Sequence, residues 1–135
     1  MNINFYDSKD SCQLGYVDSL IVNIPPVDSK NKLLTELSKG LSFPDYFGFN
    51  WDALYDLLCS CYGIEEKNIA VFHEGVKELP IRDLLKYLDV IRATCEWWKE
   101  HVEHHIMFFF NSKEKDYLTG FDKCGTGLLE NLFQT

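Results

Sequence analysis

The chain has 135 residues, of which 46% are apolar and 15% aromatic, and 21 acidic against 13 basic residues give it a net charge of -8. The length fits one domain with a buried core, and the apolar content excludes an intrinsically disordered chain. The negative charge argues against direct binding to nucleic acid, which needs clustered Lys and Arg, and it favours a basic partner.

The lack of a recognisable targeting signal and the pattern of cysteines both favour a cytoplasmic protein with reduced thiols. The longest uninterrupted apolar run, Ile106 to Phe110, has only the length of a strand, so we expect no membrane span. The first seven residues lack the basic and apolar regions of a secretory signal. The cysteines are odd in number and scattered, which does not suit a disulfide framework: Cys12, Cys59, Cys61, Cys95 and Cys124. We expect a monomer with a single domain over 1–135.

The first predicted strand covers Leu20 to Ile24, a β-branched run that ends at Pro25. A helix follows, capped by Asp28 or Ser29 and ending near Gly40. Its apolar positions recur at helical spacing: Leu33, Leu34, Leu37 and Leu41. This strand and helix form the first half of a βαβ unit.

A second helix is predicted after an aromatic loop, with Asn50 as its N-cap. Helical spacing places one set of residues on the buried side: Ala53, Leu54, Leu57, Leu58 and Cys61. The opposite, exposed face then carries Asp52, Tyr55, Asp56 and Cys59. Core packing and partner contact are equally good interpretations of the nearby aromatics Phe47, Phe49 and Trp51.

Two further strands complete the predicted sheet. Asn68–His73 is a second buried strand, a long helix runs from Pro80 to about Glu103, and Ile106–Asn111 is the third strand. Helical crossovers between the strands favour a parallel sheet. We therefore predict an α/β fold with a three-stranded parallel sheet packed with helices. The end of the chain carries Leu128, Leu129, Leu132 and Phe133, which suit a short docking helix.

Acidic residues are concentrated in one window of the sequence. Five of them lie between Gly40 and Glu66, and this window contains no Lys, Arg or His: Asp45, Asp52, Asp56, Glu65 and Glu66. Asp52 and Asp56 are four residues apart, so they are neighbours on one helix face and repel each other by a few tenths of a kcal/mol. A solvated outer face is one interpretation of this pattern. The interleaved aromatics favour the other, a protein-binding surface for a cationic partner.

Residues Phe43 to Asp56, FPDYFGFNWDALYD, resemble the signature of the barstar family of ribonuclease inhibitors. The shared pattern is Pro, an acid, two aromatics, Gly, any residue, Asn, an apolar residue, Asp-Ala-Leu, an aromatic and Asp. The resemblance continues more weakly through the predicted strands to Asn111. It implies a barstar-like core over about 19–111, with extensions over 1–18 and 112–135.

The resemblance implies a function for the acidic helix. Asp52 and Asp56 match residues that enter the active site of a cognate ribonuclease and stand in for substrate phosphate. Tyr46 and Tyr55 match aromatics at that interface, and Asn50 also matches, although its main role is to cap the helix. The expected protein is an intracellular inhibitor, or immunity protein, that forms a 1:1 complex with a basic ribonuclease toxin.

The chain also departs from the barstar pattern. Both extensions are additional, and one long helix replaces two shorter ones. Because these differences affect the surface, the partner need not be barnase itself and could be another toxin nuclease domain. The family also uses a Glu on the helix before the last strand, and both Glu96 and Glu100 fit that position.

Other motifs carry weaker signals. His101, His104 and His105 suit a helix C-terminus better than a metal site, and Cys59-Ser-Cys61 lacks the second pair that zinc binding needs. We expect no metal, no cofactor and no enzymatic activity, because no nucleophile and base are paired. The alternative function is an acidic protein–protein interaction module for a partner that is not a nuclease.

Overall fold

The computed structural model describes residues 3–7, 19–61 and 63–120. Its strands are β1 (Ile3–Tyr6), β2 (Ser19–Ile24), β3 (Asn68–His73) and β4 (His105–Asn111). Its helices are α1 (Lys30–Leu41), α2 (Trp51–Ser60), α3 (Ile81–Lys99) and the short α4 (Lys115–Thr119), which follows a 3-10 turn at Ser112–Glu114.

All four strands form one parallel sheet in the order β1-β4-β3-β2. The predicted α/β architecture, a parallel sheet packed with helices, is confirmed, and β2, β3 and β4 are the three predicted strands. Apolar side chains from one face of these strands and from α1, α2 and α3 form the main core. A smaller cluster of Tyr6, Ala70, Phe72 and Phe109 lies on the other face.

The sheet has four strands rather than the predicted three. The additional strand, β1, lies within residues 1–18, which were expected only to precede the first strand, and it pairs with β4 from Ile3 opposite Phe108 to Tyr6 opposite Asn111. The Tyr6 hydroxyl donates to the His73 carbonyl at 3.1 Å. A four-residue edge strand is stabilised mainly by pairing with its neighbour, here β4. Its own sequence therefore has little hydrophobic pattern from which a strand could be predicted.

Helix α1 begins and packs for identifiable reasons. Ser29 is its N-cap, and its hydroxyl accepts from the Lys32 backbone N–H at 3.2 Å. Gly40, predicted near the helix end, lies inside the last turn because the backbone here approaches β2 closely. A Cβ at position 40 would collide with the Val22 side chain of β2, so a larger residue would fit here only if Val22 moved.

Helix α3 is the single long core-facing helix that the apolar spacing predicted. Its buried residues include Leu84, Leu88, Ile91 and Trp98. Apolar residues at the two ends of the predicted helix do not reach the core, since Ile81 is 55% exposed and Val102, beyond the observed helix, is 82% exposed. The helix ends at Lys99, a few residues before the predicted Glu103.

The segment after β4 is anchored to the rest of the fold. The Glu114 carboxylate accepts backbone N–H bonds from Val76 at 2.9 Å and Lys77 at 3.1 Å, in the loop between β3 and α3. The predicted docking helix at Leu128–Phe133 lies outside the described residues. Among the helices of the described part, none has the length and apolar character needed to cross a bilayer.

Candidate partner-binding site

Helix α2 presents the two predicted aspartates to solvent. The Asn50 side chain accepts from the Ala53 N–H at 2.7 Å and donates to the Gly48 carbonyl at 3.3 Å, so it closes the N-terminus of the helix as predicted. Asp52 lies in the first turn, where the helix dipole favours a carboxylate. Both Asp52 and Asp56 are exposed, on the face opposite the core residues of α2.

The aromatic loop before α2 divides its residues between core and surface. Phe47 is buried and contacts Phe43 and Phe49, each with ring centroids 4.9 Å apart. Tyr46 is 72% exposed, and Phe49 is partly exposed with a left-handed backbone at φ 49°. A bulky residue seldom adopts this conformation, which costs about 1 kcal/mol or more. Loop packing therefore holds a strained turn directly before Asn50.

Helix α3 supports α2 from behind. The Trp51 ring lies 6.2 Å from the Tyr87 ring, and the Trp98 indole N–H donates to the Leu58 carbonyl at 2.9 Å. Tyr87 in turn contacts the buried His73 of β3 at 2.5 Å. The first and last turns of α2 are thus both fixed to the body of the protein, so its exposed face is held rigidly.

Three grooves border the exposed face of α2. The first, of about 360 Å³, contains Tyr46, Asp56 and the backbone around Gly48. The second, of about 320 Å³, lies between α2 and α3 and is lined by Tyr55, Asp56, Cys59, Ser60 and Trp97. The third, of about 310 Å³, contains Asn50, Trp51, Asp52, Lys86, Asp89 and Val90. Asp56 therefore stands between two grooves, whereas Asp52 lies in the third.

The two aspartates differ in their basic neighbours. Ion pairs of the described residues join Asp28 to Lys32, Glu36 to Lys39 and Asp89 to Arg92, and none of these includes Asp52 or Asp56. Lys86 nevertheless lines the groove that contains Asp52. Neither groove at Asp56 is lined by a basic residue. Among the described residues, a basic side chain therefore lines the groove of Asp52 but neither groove of Asp56.

Tyr55 and Cys59 interact on the same face of α2. A hydrogen bond from the Tyr55 hydroxyl to the Cys59 thiol raises the pKa of Tyr55, and burial adds to this effect. Burial raises the pKa of the Cys59 thiol, while the hydrogen bond from Tyr55 acts in the opposite direction. Both side chains are therefore neutral at pH 7, so the charge of this face comes from its carboxylates.

The histidines after α3 make backbone contacts. His101 Nδ1 lies 2.7 Å from the Trp97 carbonyl, at the helix C-terminus where it was predicted, and His104 Nδ1 lies 2.8 Å from the Glu66 carbonyl. Within residues 3–7, 19–61 and 63–120, no group of His, Cys, Asp or Glu has the arrangement of a metal site. Cys59 and Cys61 are not joined in a disulfide, and Cys61 and Cys95 are buried.

Comparison with known families decides the relationship of the chain. The family described as Barstar (barnase inhibitor) matches residues 17–111. The chain belongs to the barstar family. A comparison with curated proteins gave no significant match. Members of the barstar family bind and inhibit ribonucleases and are not enzymes. The matched range starts after β1, so this strand is an addition to the part of the fold that the family shares.

The barstar signature places its residues on one surface. Tyr46, Asn50, Asp52, Tyr55 and Asp56 all lie on the α2 face or in the loop before it, and their roles in binding stay predictions. Lys86 and Trp97, which α3 brings to this surface, were not among the predicted site residues. Trp97 directly precedes the core residue Trp98 of α3, so the helical spacing does predict that Trp97 is exposed. The proximity of Lys86 to Asp52 depends on how the two helices pack, and no sequence pattern indicates it.

Proposed function

We propose that this protein is an immunity protein that binds a cognate ribonuclease toxin one to one and blocks its active site with Asp52 and Asp56. The observation that carries the proposal is that α2 exposes two carboxylates that take part in none of the ion pairs of the described residues, within the segment that bears the family signature. Ribonuclease active sites hold basic groups for substrate phosphate, so two exposed carboxylates would compete for them by charge complementarity.

The surroundings of α2 support an interface of ordinary composition. Exposed aromatics, Tyr46 and Phe49 among them, adjoin the carboxylates, and such side chains supply most of the energy of protein interfaces. The strained turn at Phe49 and the Asn50 cap fix the helix before binding. A surface that is already ordered pays little conformational entropy on association.

A cytoplasmic location and a monomeric free state belong to the same proposal. An immunity protein must meet the toxin inside the producing cell, and a dimer that covered α2 would hide the carboxylates. The protein itself would have no nuclease activity. Hydrolysis of RNA by the isolated chain with added divalent metal would contradict this part of the proposal.

The decisive assay takes a nuclease domain found in a neighbouring reading frame and measures its RNA cleavage with and without the protein. We expect stoichiometric inhibition that ends at a 1:1 ratio. Binding without inhibition would instead support the alternative, an acidic interaction module. Co-expression of toxin and protein in a host then tests protection, since cells should survive only when the inhibitor is present.

Replacement of Asp56 tests the mechanism. Asp56→Ala should weaken binding by about 100-fold, or about 3 kcal/mol, as is typical of buried charge pairs at interfaces, the barnase–barstar complex being itself a measured example. Glu66→Ala is the matched control, because Glu66 belongs to the same acidic window but lies outside the grooves. It should change mainly the association rate and its salt dependence. Unchanged affinity in both variants would refute the active-site mechanism.

A further inference from the structure

The groove of about 310 Å³ that contains Asp52 presents charges of both signs. Its lining combines three charged residues with three uncharged ones: Asp52, Lys86 and Asp89, and Asn50, Trp51 and Val90. Among the described residues, the other two grooves beside α2 are lined by a carboxylate and by no base. A basic side chain therefore distinguishes this groove from the rest of the proposed binding face.

The positive charge of Lys86 is not used within the described part of the chain. Asp83 and Asp89 lie three residues before and after it, at a spacing that allows ion pairs on a helix. The ion pairs of the described residues nevertheless do not include Lys86, and Asp89 pairs instead with Arg92 at 2.9 Å. Lys86 is exposed, so its ammonium is available to a partner.

A lysine at this position opposes the charge of the surface around it. The chain carries a net charge of -8, and its long-range attraction for a basic partner would be stronger without a cation beside Asp52. The fold does not depend on Lys86 either, because its side chain is exposed and takes part in none of the ion pairs of the described residues. A cation within an acidic binding face acts on selectivity, since it repels partners that place a base there and attracts those that place an acid.

We infer that Lys86 is a specificity-determining residue that pairs with a carboxylate of the ribonuclease, beside its basic active site. The inference rests on the proposed function for the nature of the partner. A lysine ammonium is a compact charge with three donors on a flexible stem, so a single Asp or Glu of the partner suffices as its acceptor. Trp51 and Val90 line the same groove, and a partner that covers it leaves little water around the ion pair, which strengthens the attraction.

Two charge reversals on α3 separate this local pairing from long-range attraction. Lys86→Glu and Lys99→Glu each replace one positive charge by a negative one, so each changes the net charge from -8 to -10. Lys99 is exposed, lies outside the three grooves and is about 20 Å further along the helix. Long-range attraction alone predicts that both variants bind a basic nuclease somewhat more tightly.

The inference predicts opposite results for the two variants. With the nuclease domain of the cleavage assay at fixed ionic strength, Lys86→Glu should raise the inhibition constant by about 100-fold, because an attraction is replaced by a repulsion. Lys99→Glu should inhibit at least as well as the wild type. The sign of the change at position 86, and not only its size, therefore decides between the two explanations.

A neutral variant separates binding from folding. Lys86→Met keeps a long side chain and adds no negative charge beside Asp83 and Asp89, so α3 should be as stable as in the wild type in urea denaturation. Its inhibition constant should still rise by about tenfold, because the ion pair is lost without a new repulsion.

A compensating change in the nuclease identifies the carboxylate. Each Asp and Glu around its active site is replaced in turn by Lys, and binding to the wild type and to Lys86→Glu is measured by calorimetry, which does not require an active nuclease. One replacement should weaken binding to the wild type and restore binding to Lys86→Glu by at least about tenfold. Replacements of acids that do not contact Lys86 should have equal effects on both proteins.

Two results would overturn the inference. One is an affinity of Lys86→Glu that equals or exceeds that of the wild type, and the other is the lack of any compensating acid in the nuclease. If either is found while Asp56→Ala still loses inhibition, the proposed function stands without this role of Lys86. If the protein binds the nuclease without inhibiting it and Lys86→Glu still weakens binding, the proposed function fails and the role of Lys86 stands. A wild-type protein that does not bind the nuclease would overturn both.

Discussion

The buried histidine of β3 should make the stability of this protein fall in mild acid. His73 is fully buried, and its ring stacks on Phe110 at 4.3 Å. Nδ1 lies 2.9 Å from the Phe109 carbonyl, which can only accept, so Nδ1 carries the proton. Nε2 then accepts from the Tyr87 hydroxyl. Protonation of Nε2 would remove this acceptor and place a charge in the core.

The sign and size of the effect follow from the pKa of His73. Burial lowers this pKa to about 4, from an ordinary value near 6.5 in the unfolded chain. The unfolded state therefore binds the proton more readily, and its advantage grows as the pH falls from about 6.5 towards 4. Well above pH 6.5 the His73 ring is neutral in both the folded and the unfolded state, so its burial does not lower the stability there. Linkage gives a loss of about 2 kcal/mol between pH 7.5 and pH 5.

Urea denaturation at the two pH values measures this loss. The wild-type protein should lose about 2 kcal/mol of unfolding free energy from His73, in addition to whatever its other groups contribute. His73→Gln should be less stable at pH 7.5 but should lack this part of the pH dependence. His105→Gln, at an exposed position in β4, is the control and should keep it. The reasoning is refuted if wild type and His73→Gln lose the same free energy.

Two further changes test how the site and its support are held. Asn50→Ala should lower the unfolding free energy by about 1 kcal/mol, because the Ala53 N–H loses its side-chain acceptor. Asn50→Asp keeps an acceptor and should cost less. Equal stability of wild type and both variants in urea denaturation would contradict the capping role of Asn50. Glu114→Ala should lower the unfolding free energy by about 2 kcal/mol, because the backbone N–H groups of Val76 and Lys77 lose their acceptor. Glu78→Ala is the control, since Glu78 is exposed in the loop that contains Val76 and Lys77. Equal melting temperatures for the two variants would refute the anchoring role of Glu114.

The three longer strands and the long helices were predictable because each carries a strong local pattern. Apolar runs marked β2, β3 and β4, and helical spacing marked α1, α2 and α3. β1 was missed, because four residues at a sheet edge depend on pairing with β4 and on the Tyr6 hydroxyl bond to His73. Its partners are separated from it by most of the chain. Contacts with residues that are distant in the sequence, more than the local sequence itself, cause such a segment to form a strand.

The predicted site residues were found on one surface because the family signature is a continuous segment. A helix face and its N-cap are local features, so spacing alone places Asp52, Tyr55 and Asp56 together. The grooves between helices are not local. Trp97 reaches the surface from α3, more than forty residues further along the chain, and its position depends on the packing of α3 against α2. No pattern within α2 contains that information.

The packing of α3 also distinguishes the two aspartates that the sequence made equivalent. Asp52 shares its groove with Lys86, whose positive charge would repel a partner's cation there, and with Asp89, which already pairs with Arg92. Asp56 has no base in either of its grooves and adjoins the aromatic walls at Tyr46 and Trp97. A partner's cation therefore gains more new attraction at Asp56 than at Asp52. The helix exposes both carboxylates, and their different surroundings lead us to expect that Asp56 contributes more than Asp52 to the proposed interface.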